Sequence, residues 1–193
     1  MGIIILSALA SETEQLKSKY QVILTGVGKV NAAIATSKTI HKHNPDLIIN
    51  YGSAGSTKKN ITGLVDCKYF IQRDMDVTGL GFMKHQTPYE NPNAMIIRYR
   101  TEPPSPLFNP IGKNYTCGTG DSFVESLEKG DSNIDVFDME AYALAKVCYH
   151  YDIPFISFKY ITDNANEYSH KDWKDNLSDG ITEFMEKVLR KIK

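Results

Sequence analysis

Short, wholly apolar runs alternate along this chain with segments whose apolar residues recur every three or four positions. "IIILSAL" (3–9), "QVILTGVG" (21–28) and "DLIINYGSAG" (46–55) read as buried strands, the last two running into glycine turns. "LVDCKYFIQRDMDVTG" (64–79) reads as a strand and loop, "AMIIRYR" (94–100) as a strand inside a Pro-, Asn- and Tyr-rich stretch, and "PFISFKYI" (154–161) as a further strand. Between them lie helical patterns. Ser11 and Glu14 stand in capping-box spacing at the head of a short helix over 11–19. Over 29–43, Val30, Ala33, Ile34, Ser37 and Ile40 fall on one helical face, and Asn44-Pro45 stops the run. "KNYTCGTG" leads from strand to turn, and "DSFVESLEK" (121–129) reads as a capped helix. A largely apolar helix spans 139–151. The last helix sets Ile181, Phe184, Met185, Val188, Leu189 and Ile192 in i, i+3, i+4 order.

Strands alternating with helices predict an α/β fold: three layers, α/β/α, around a central mixed, largely parallel sheet, in a single domain over 1–193. In such folds ligands bind at the carboxyl ends of the strands. The residues just past the predicted strands include Ser11–Glu12, Gly26–Gly28, Gly52–Gly55, Asp74–Thr78, Gly118–Phe123 and Thr162–Asn166. That rim carries glycines, hydroxyls and carboxylates, with Lys29 and Arg73 as nearby cations.

Composition narrows the function. With 193 residues the chain can bury a full core, and 41% hydrophobic with 23% charged residues is ordinary for a globular protein. A formal net charge of -1 gives no electrostatic footprint for nucleic acid or an anionic membrane. No apolar run is long enough to span a bilayer, and no basic region precedes the apolar N-terminus. The three cysteines, Cys67, Cys117 and Cys148, form neither metal-type pairs nor a disulfide frame, which points to a reduced, cytoplasmic protein. The histidines lack ligand spacing, so no metal is expected.

"GVGKVN" and "GTGDSF" resemble pieces of a dinucleotide fingerprint, but Asn31 stands where the third glycine belongs, and no Walker loop is present. Taken singly, the acids have ordinary readings. Glu12, Asp138 and Glu140 suit helix starts, Asp163 suits a turn, and Met139 suits a core. Taken together, Glu12, Glu140 and Asp163 come from distant parts of the chain to one predicted rim. Separated acids there can divide acid and base roles, which would suit cleavage of a glycosidic bond. From the residues alone the reading stays at a hydrolase or a ligand-binding α/β domain.

"TGVGKVNAA", "PDLIINYGSAGS", "RDMDVTGLGF", "GTGDSFV" and "DMEAYALAKVCYHYDIPFISFKYITDNAN" resemble, in that order, motifs of the nucleoside phosphorylase/nucleosidase superfamily, most nearly its 5′-methylthioadenosine/S-adenosylhomocysteine nucleosidase branch. The resemblance runs from residue 3 to about residue 170. It implies catalytic roles for Glu12, which would activate the attacking water, and Asp163, which would protonate or hydrogen-bond purine N7. It implies that Glu140 binds the ribose hydroxyls, that Met139 packs near the sugar, and that Ser53 lies near the water. Phe123 and Val124 fall in the segment that stacks on the base and reads its edge. Leu80 and Pro88 fall where the 5′-substituent is lined, often across a dimer interface, so a homodimer is implied.

The substrate implied is a small-molecule adenine nucleoside, with no metal and no organic cofactor. Asp rather than Asn at 163 favours a 6-amino purine. Related phosphorylases carry an arginine where this chain has Asn50, so water rather than phosphate is the expected nucleophile. The alternatives are a phosphorylase of the same fold and a non-catalytic nucleoside-binding protein. The chain departs from the family pattern in its length, in strands missing before "QVILTGV", in a condensed region 83–115, and in Leu80 where an aromatic is usual. Futalosine and adenosine therefore stand beside the two named substrates.

Overall fold

The computed structural model describes residues 2–90, 97–98, 109–126, 128, 130–163 and 179–192. Among the described residues eight strands form one sheet: β1 (Ile3–Ser7), β2 (Val22–Leu24), β3 (Leu47–Gly55), β4 (Gly63–Gln72), β5 (Ile97–Arg98), β6 (Tyr115–Thr119), β7 (Val136–Asp138) and β8 (Phe155–Asp163). The expected mixed, largely parallel sheet is present as two parallel groups. β2, β1, β3 and β8 run together, with Ile5 opposite both Val22 and Ile49, and Ile49 opposite Ile156. β4, β6 and β7 form the second group. The groups run in opposite directions and join where β4 pairs antiparallel with β8. β5 adds antiparallel to β4.

The sheet then curls. Gly55 at the carboxyl end of β3 pairs antiparallel with Phe137 near the carboxyl end of β7. The strand ends of the two groups therefore meet head-on, and this meeting point positions the site. Parallel groups alone would have put the ends of β3 and β7 on opposite edges.

Alternation of side chains across the pleat divides the core. Ile4, Leu6 and Ile48 face one layer, with Ala32 and Ile40 from α2 (Lys29–His43) and Tyr142, Leu144, Ala145 and Cys148 from α3 (Ala141–His150). Ile5, Leu47, Ile49, Ile156 and Phe158 face the other, against Leu16 and against Phe184 of α4, described over 179–187, and Val188 just past it. Phe184 stacks on Tyr51 with ring centroids 4.3 Å apart. Helices on both faces of the sheet complete the α/β/α arrangement.

Several local expectations change. α2 buries Ala32, Thr36, Thr39 and Ile40, while Val30 and Ile34 point outward. The helix turns this way because Thr36 and Thr39 satisfy their hydroxyls on the carbonyls of Ala32 and Ala35, four residues back, and so can be buried. Residues 121–126 are not helical. Their cap-forming polar groups are bonded to other parts of the chain, with Asp121 accepting from the Lys29 N–H and Ser122 accepting from Arg73. The first helix is a single turn, α1 (Ala10–Thr13), followed by a 3-10 turn (Glu14–Leu16), and Glu12 rather than the Ser11/Glu14 pair supplies the cap by accepting from the Leu9 N–H. α3 begins at Ala141, because 136–138 form the unforeseen strand β7. Of the strand expected over 94–100 only 97–98 are described, and the turn expected over 162–170 lies outside the described residues beyond Asp163, where β8 ends.

Candidate functional site

A cleft opens where the carboxyl ends of β1, β3, β7 and β8 converge. Glu12, Ser53, Phe123, Val124, Met139, Glu140 and Asp163 all line it. Glu12 reaches it from α1, just past β1, and is 4% exposed. Four donors hold its carboxylate. Ser53 gives its backbone N–H and its hydroxyl to Oε1, both at 2.8 Å. Ser7 Oγ and the Leu9 N–H donate to Oε2 at 2.8 and 3.2 Å. Gly52 lies flat against the same group: a Cβ there would come within 3.3 Å of Oε1. The turn of small residues in "NYGSAG" is thus what lets β3 press its backbone onto a buried carboxylate.

The "DME" segment closes the far wall. Asp138 ends β7 and accepts the Ala141 N–H, the first of α3, at 2.8 Å through Oδ2. Its Oδ1 accepts from Thr119 Oγ1 and from Cys117 Sγ. Lys159 of β8, 1% exposed, places its ammonium 2.7 Å from Asp138 Oδ2. Burial works against the charge on Asp138, but the Lys159 ammonium, Thr119 and the Ala141 N–H outweigh it and hold the carboxyl below its usual range. Burial likewise opposes the charge on Lys159, and Asp138 more than offsets it, so the amine stays protonated.

Glu140, two residues on, has a different environment. Burial comes first and the Asp138 charge second, and together they push its carboxyl up to about 7, although Lys159 and the Gly28 N–H pull it down. That N–H, at the start of α2, donates to Glu140 Oε1 at 2.9 Å. Gly28 has φ +91°, a conformation that favours glycine and that turns its N–H toward the acid. Two acids two residues apart are therefore pushed in opposite directions, one kept ionised and one poised near neutrality.

Asp163, 6% exposed, ends β8 and accepts from the Thr162 hydroxyl at 3.1 Å. Phe123 and Val124 enter from the loop after β6, which is tied to α2 by Asp121 and to the loop after β4 by Asp74. Leu80 and Pro88 are not among the residues that line this cleft, and Leu80 is 74% exposed. Asn50 lines it but is committed elsewhere: its Nδ2 donates to the Leu6 carbonyl and its Oδ1 accepts from Ser157 Oγ. The sequence placed Asp138 at a helix start but missed Lys159 and the ion pair between the two. A lysine inside the apolar strand "PFISFKYI" was the available signal, since a buried lysine requires a partner. Lys159 is the one cation lining the cleft among the described residues, and Asp138 neutralises it.

The sequence pattern of the Phosphorylase superfamily matches residues 12–111 and 113–193. A 5′-methylthioadenosine/S-adenosylhomocysteine nucleosidase from Shewanella pealeana is 33% identical over 177 residues, covering 84% of this chain and 76% of its own. The Bacillus subtilis protein of that name is 32% identical over 187 residues, covering 90% and 81%. Among solved structures, a nucleosidase of the same description from Colwellia psychrerythraea, in complex with adenine, superposes with a TM-score of 0.84 at 21% identity, covering 100% of this chain and 93% of that one. A futalosine hydrolase from Helicobacter pylori superposes with a TM-score of 0.82 at 20% identity, covering 93% and 91%.

Proposed function

Since the chain belongs to the Phosphorylase superfamily, we propose that it hydrolyses the N-glycosidic bond of an adenine nucleoside, 5′-methylthioadenosine or S-adenosylhomocysteine, and releases adenine. The observation that carries this reading is the gathering of Glu12, Glu140 and Asp163 around one cleft whose one lining cation among the described residues is neutralised. In the reaction the C1′–N9 bond breaks and a C1′–O bond to water forms. Glu12 takes the proton that water gives up. Asp163 gives a proton to N7, so that adenine leaves neutral. The sugar passes through an oxocarbenium-like state, which the ionised acids around it stabilise. Glu140 accepts from the ribose hydroxyls, Met139 packs against the sugar, Ser53 steers Glu12, and Phe123 with Val124 holds the base.

Water is favoured over phosphate on charge grounds. A phosphate site needs free donors and cations; here Asn50 is used within the sheet and Lys159 is bound to Asp138. The chemistry requires two acids and a water, and the reading calls for neither a metal nor an organic cofactor.

The reading extends to a single domain over 1–193 that pairs as a homodimer in the cytoplasm. Support for a second copy comes from exposed apolar residues: Val27 and Phe123, which line the cleft, and Val30 and Ile34 on α2. Leu80 and Met83 are exposed as well. In such a dimer Leu80 and Pro88 would line the partner's 5′-substituent pocket. No helix among the described residues is long and apolar enough to cross a membrane.

The deciding experiment incubates the protein with 5′-methylthioadenosine, S-adenosylhomocysteine, adenosine, futalosine and inosine, each with and without phosphate, and follows free base by chromatography. Adenine release without phosphate is the expected result. Release only with phosphate would replace hydrolysis by phosphorolysis, and release from none of them would leave a binding protein.

A further inference from the structure

Arg73 has no part in the chemistry above, yet it is 2% exposed and lies one residue past β4, under the loop that carries Phe123 and Val124. Its Nη2 donates to the Ser122 carbonyl at 3.2 Å and to Ser122 Oγ at 2.6 Å. Its backbone N–H donates to the Thr119 carbonyl at 2.8 Å, at the end of β6. Between these anchors lies Gly120, where a Cβ would sit 2.8 Å from Nη2, so the guanidinium rests against bare backbone. The next residue, Asp74, accepts the Asp121 N–H at 2.9 Å. Arg73 and Asp74 thus bond the end of β6 at Thr119 and the loop residues Asp121 and Ser122 from below. Among the described residues the acid paired with Arg73 Nη1 is Glu128 at 3.6 Å, a side chain 58% exposed and therefore weakly coupled.

We propose that Arg73 is a positioning residue for purine recognition: by fixing the Ser122 carbonyl and hydroxyl it sets where Phe123 and Val124 meet the base, without touching the substrate itself. The inference rests on the cleft being a purine nucleoside site. An arginine suits the task because its fork is planar, always charged, and can hold a carbonyl and a hydroxyl in fixed directions, whereas a lysine ammonium is a mobile point charge. Charge-assisted bonds to a backbone carbonyl constrain the loop more tightly than a neutral donor would. Arg73 bonds the loop that carries Phe123 and Val124, so its removal acts on base affinity and base preference ahead of bond cleavage.

The test compares wild type with Arg73→Met, Arg73→Lys, Ser122→Ala and Glu128→Gln. Adenine and hypoxanthine affinities are measured by equilibrium dialysis, and kcat and KM are measured on 5′-methylthioadenosine. Arg73→Met is expected to weaken adenine binding about 10-fold or more, to narrow the preference for adenine over hypoxanthine, and to raise KM while kcat changes less than about threefold. Arg73→Lys should recover only part of the loss. Ser122→Ala should move the same quantities in the same direction by less, and should add nothing on top of Arg73→Met. Glu128→Gln should match wild type. A folded Arg73→Met variant with unchanged adenine affinity and base preference overturns the proposal, as does a loss confined to kcat. Should Arg73→Met not fold, Ser122→Ala decides: wild-type affinity and preference in that variant overturn it equally. Wild-type protein that binds adenine but releases none from nucleosides overturns the hydrolytic reading alone, and the role of Arg73 is then judged on adenine affinity. Wild-type protein that does not bind adenine overturns both.

Discussion

Ser53 delivers both its backbone N–H and its hydroxyl to the same oxygen of Glu12, each at 2.8 Å. With Ser7 and Leu9 on the other oxygen, the carboxylate accepts four hydrogen bonds, about as many as its lone pairs allow. It is therefore held in one orientation. To receive a proton from water, one hydroxyl must turn away, and the Ser53 hydroxyl belongs to a residue of the cleft wall.

Glu12→Gln should fold and bind substrate but lose hydrolysis by about 100-fold or more, the usual range for removing a general base. Ser53→Ala keeps the backbone bond and should lose less than about 10-fold. Single-turnover adenine release and equilibrium binding separate the two steps. Glu12→Gln turning over at the wild-type rate would remove Glu12 from water activation.

Asp163→Asn replaces the proposed acid by an amide that can still donate a hydrogen bond to N7 but cannot give up a proton. Turnover of 5′-methylthioadenosine should fall by about 100-fold or more while affinity changes little. A nucleoside carrying a leaving group that departs without protonation should be much less affected. Equal losses on both substrates would exclude a general-acid role for Asp163.

The sheet and its two helical layers were legible because each rests on local pattern, whereas Ser53, Met139, Phe123 and Val124 were placed at the cleft through the family resemblance, which also offered Leu80 and Pro88. Ile4, Leu6 and Ile5 alternate as a buried strand must, and Phe184 and Val188 repeat as a helix face must. Residues 121–126 misled because Asp, Ser and a following apolar run are good helix chemistry, while Lys29, Arg73 and Asp74, which hold the segment as a loop, lie far away in sequence. The face of α2 misled for a related reason. Val30 and Ile34 count as core by hydrophobicity, and nothing local says that threonines with self-satisfied hydroxyls will be buried instead. The pairing of Asp138 with Lys159 depends on β7 and β8 being brought together by the curl of the sheet, which no spacing encodes.

That pair supplies a stability prediction. Lys159→Met leaves Asp138 buried without its cation, which typically costs about 3–5 kcal/mol. Asp138→Asn alone strands the ammonium and also weakens the bonds to Thr119 Oγ1 and the Ala141 N–H. The double variant removes both charges and should lose less than half of what Lys159→Met loses. Urea midpoints at pH 7 read this directly; additive losses would mean that the two side chains do not act as a pair.

Glu140 links stability to function through its proton. Its carboxyl titrates at about 7 in the folded protein against 4.5 for the ordinary group, burial being the main cause and Asp138 the next. Between those values the folded chain holds a proton that the unfolded chain has released. The stabilisation is fully present below about pH 4.5 and is lost as pH rises through about 7, amounting to about 3 kcal/mol. Ribose binding has the opposite sign, because only the ionised carboxylate accepts from both hydroxyls. KM for 5′-methylthioadenosine should therefore fall as pH rises through about 7, while the denaturant midpoint falls over the same interval. Glu140→Gln can keep the Gly28 N–H bonded through its carbonyl oxygen. It should be more stable than wild type at pH 8 and not at pH 4, with a KM that is high and independent of pH. A wild-type KM that is flat from pH 6 to 8 would detach Glu140 from the sugar, and a Gln variant less stable than wild type at pH 8 would mean that the ionised form is better accommodated than its surroundings imply.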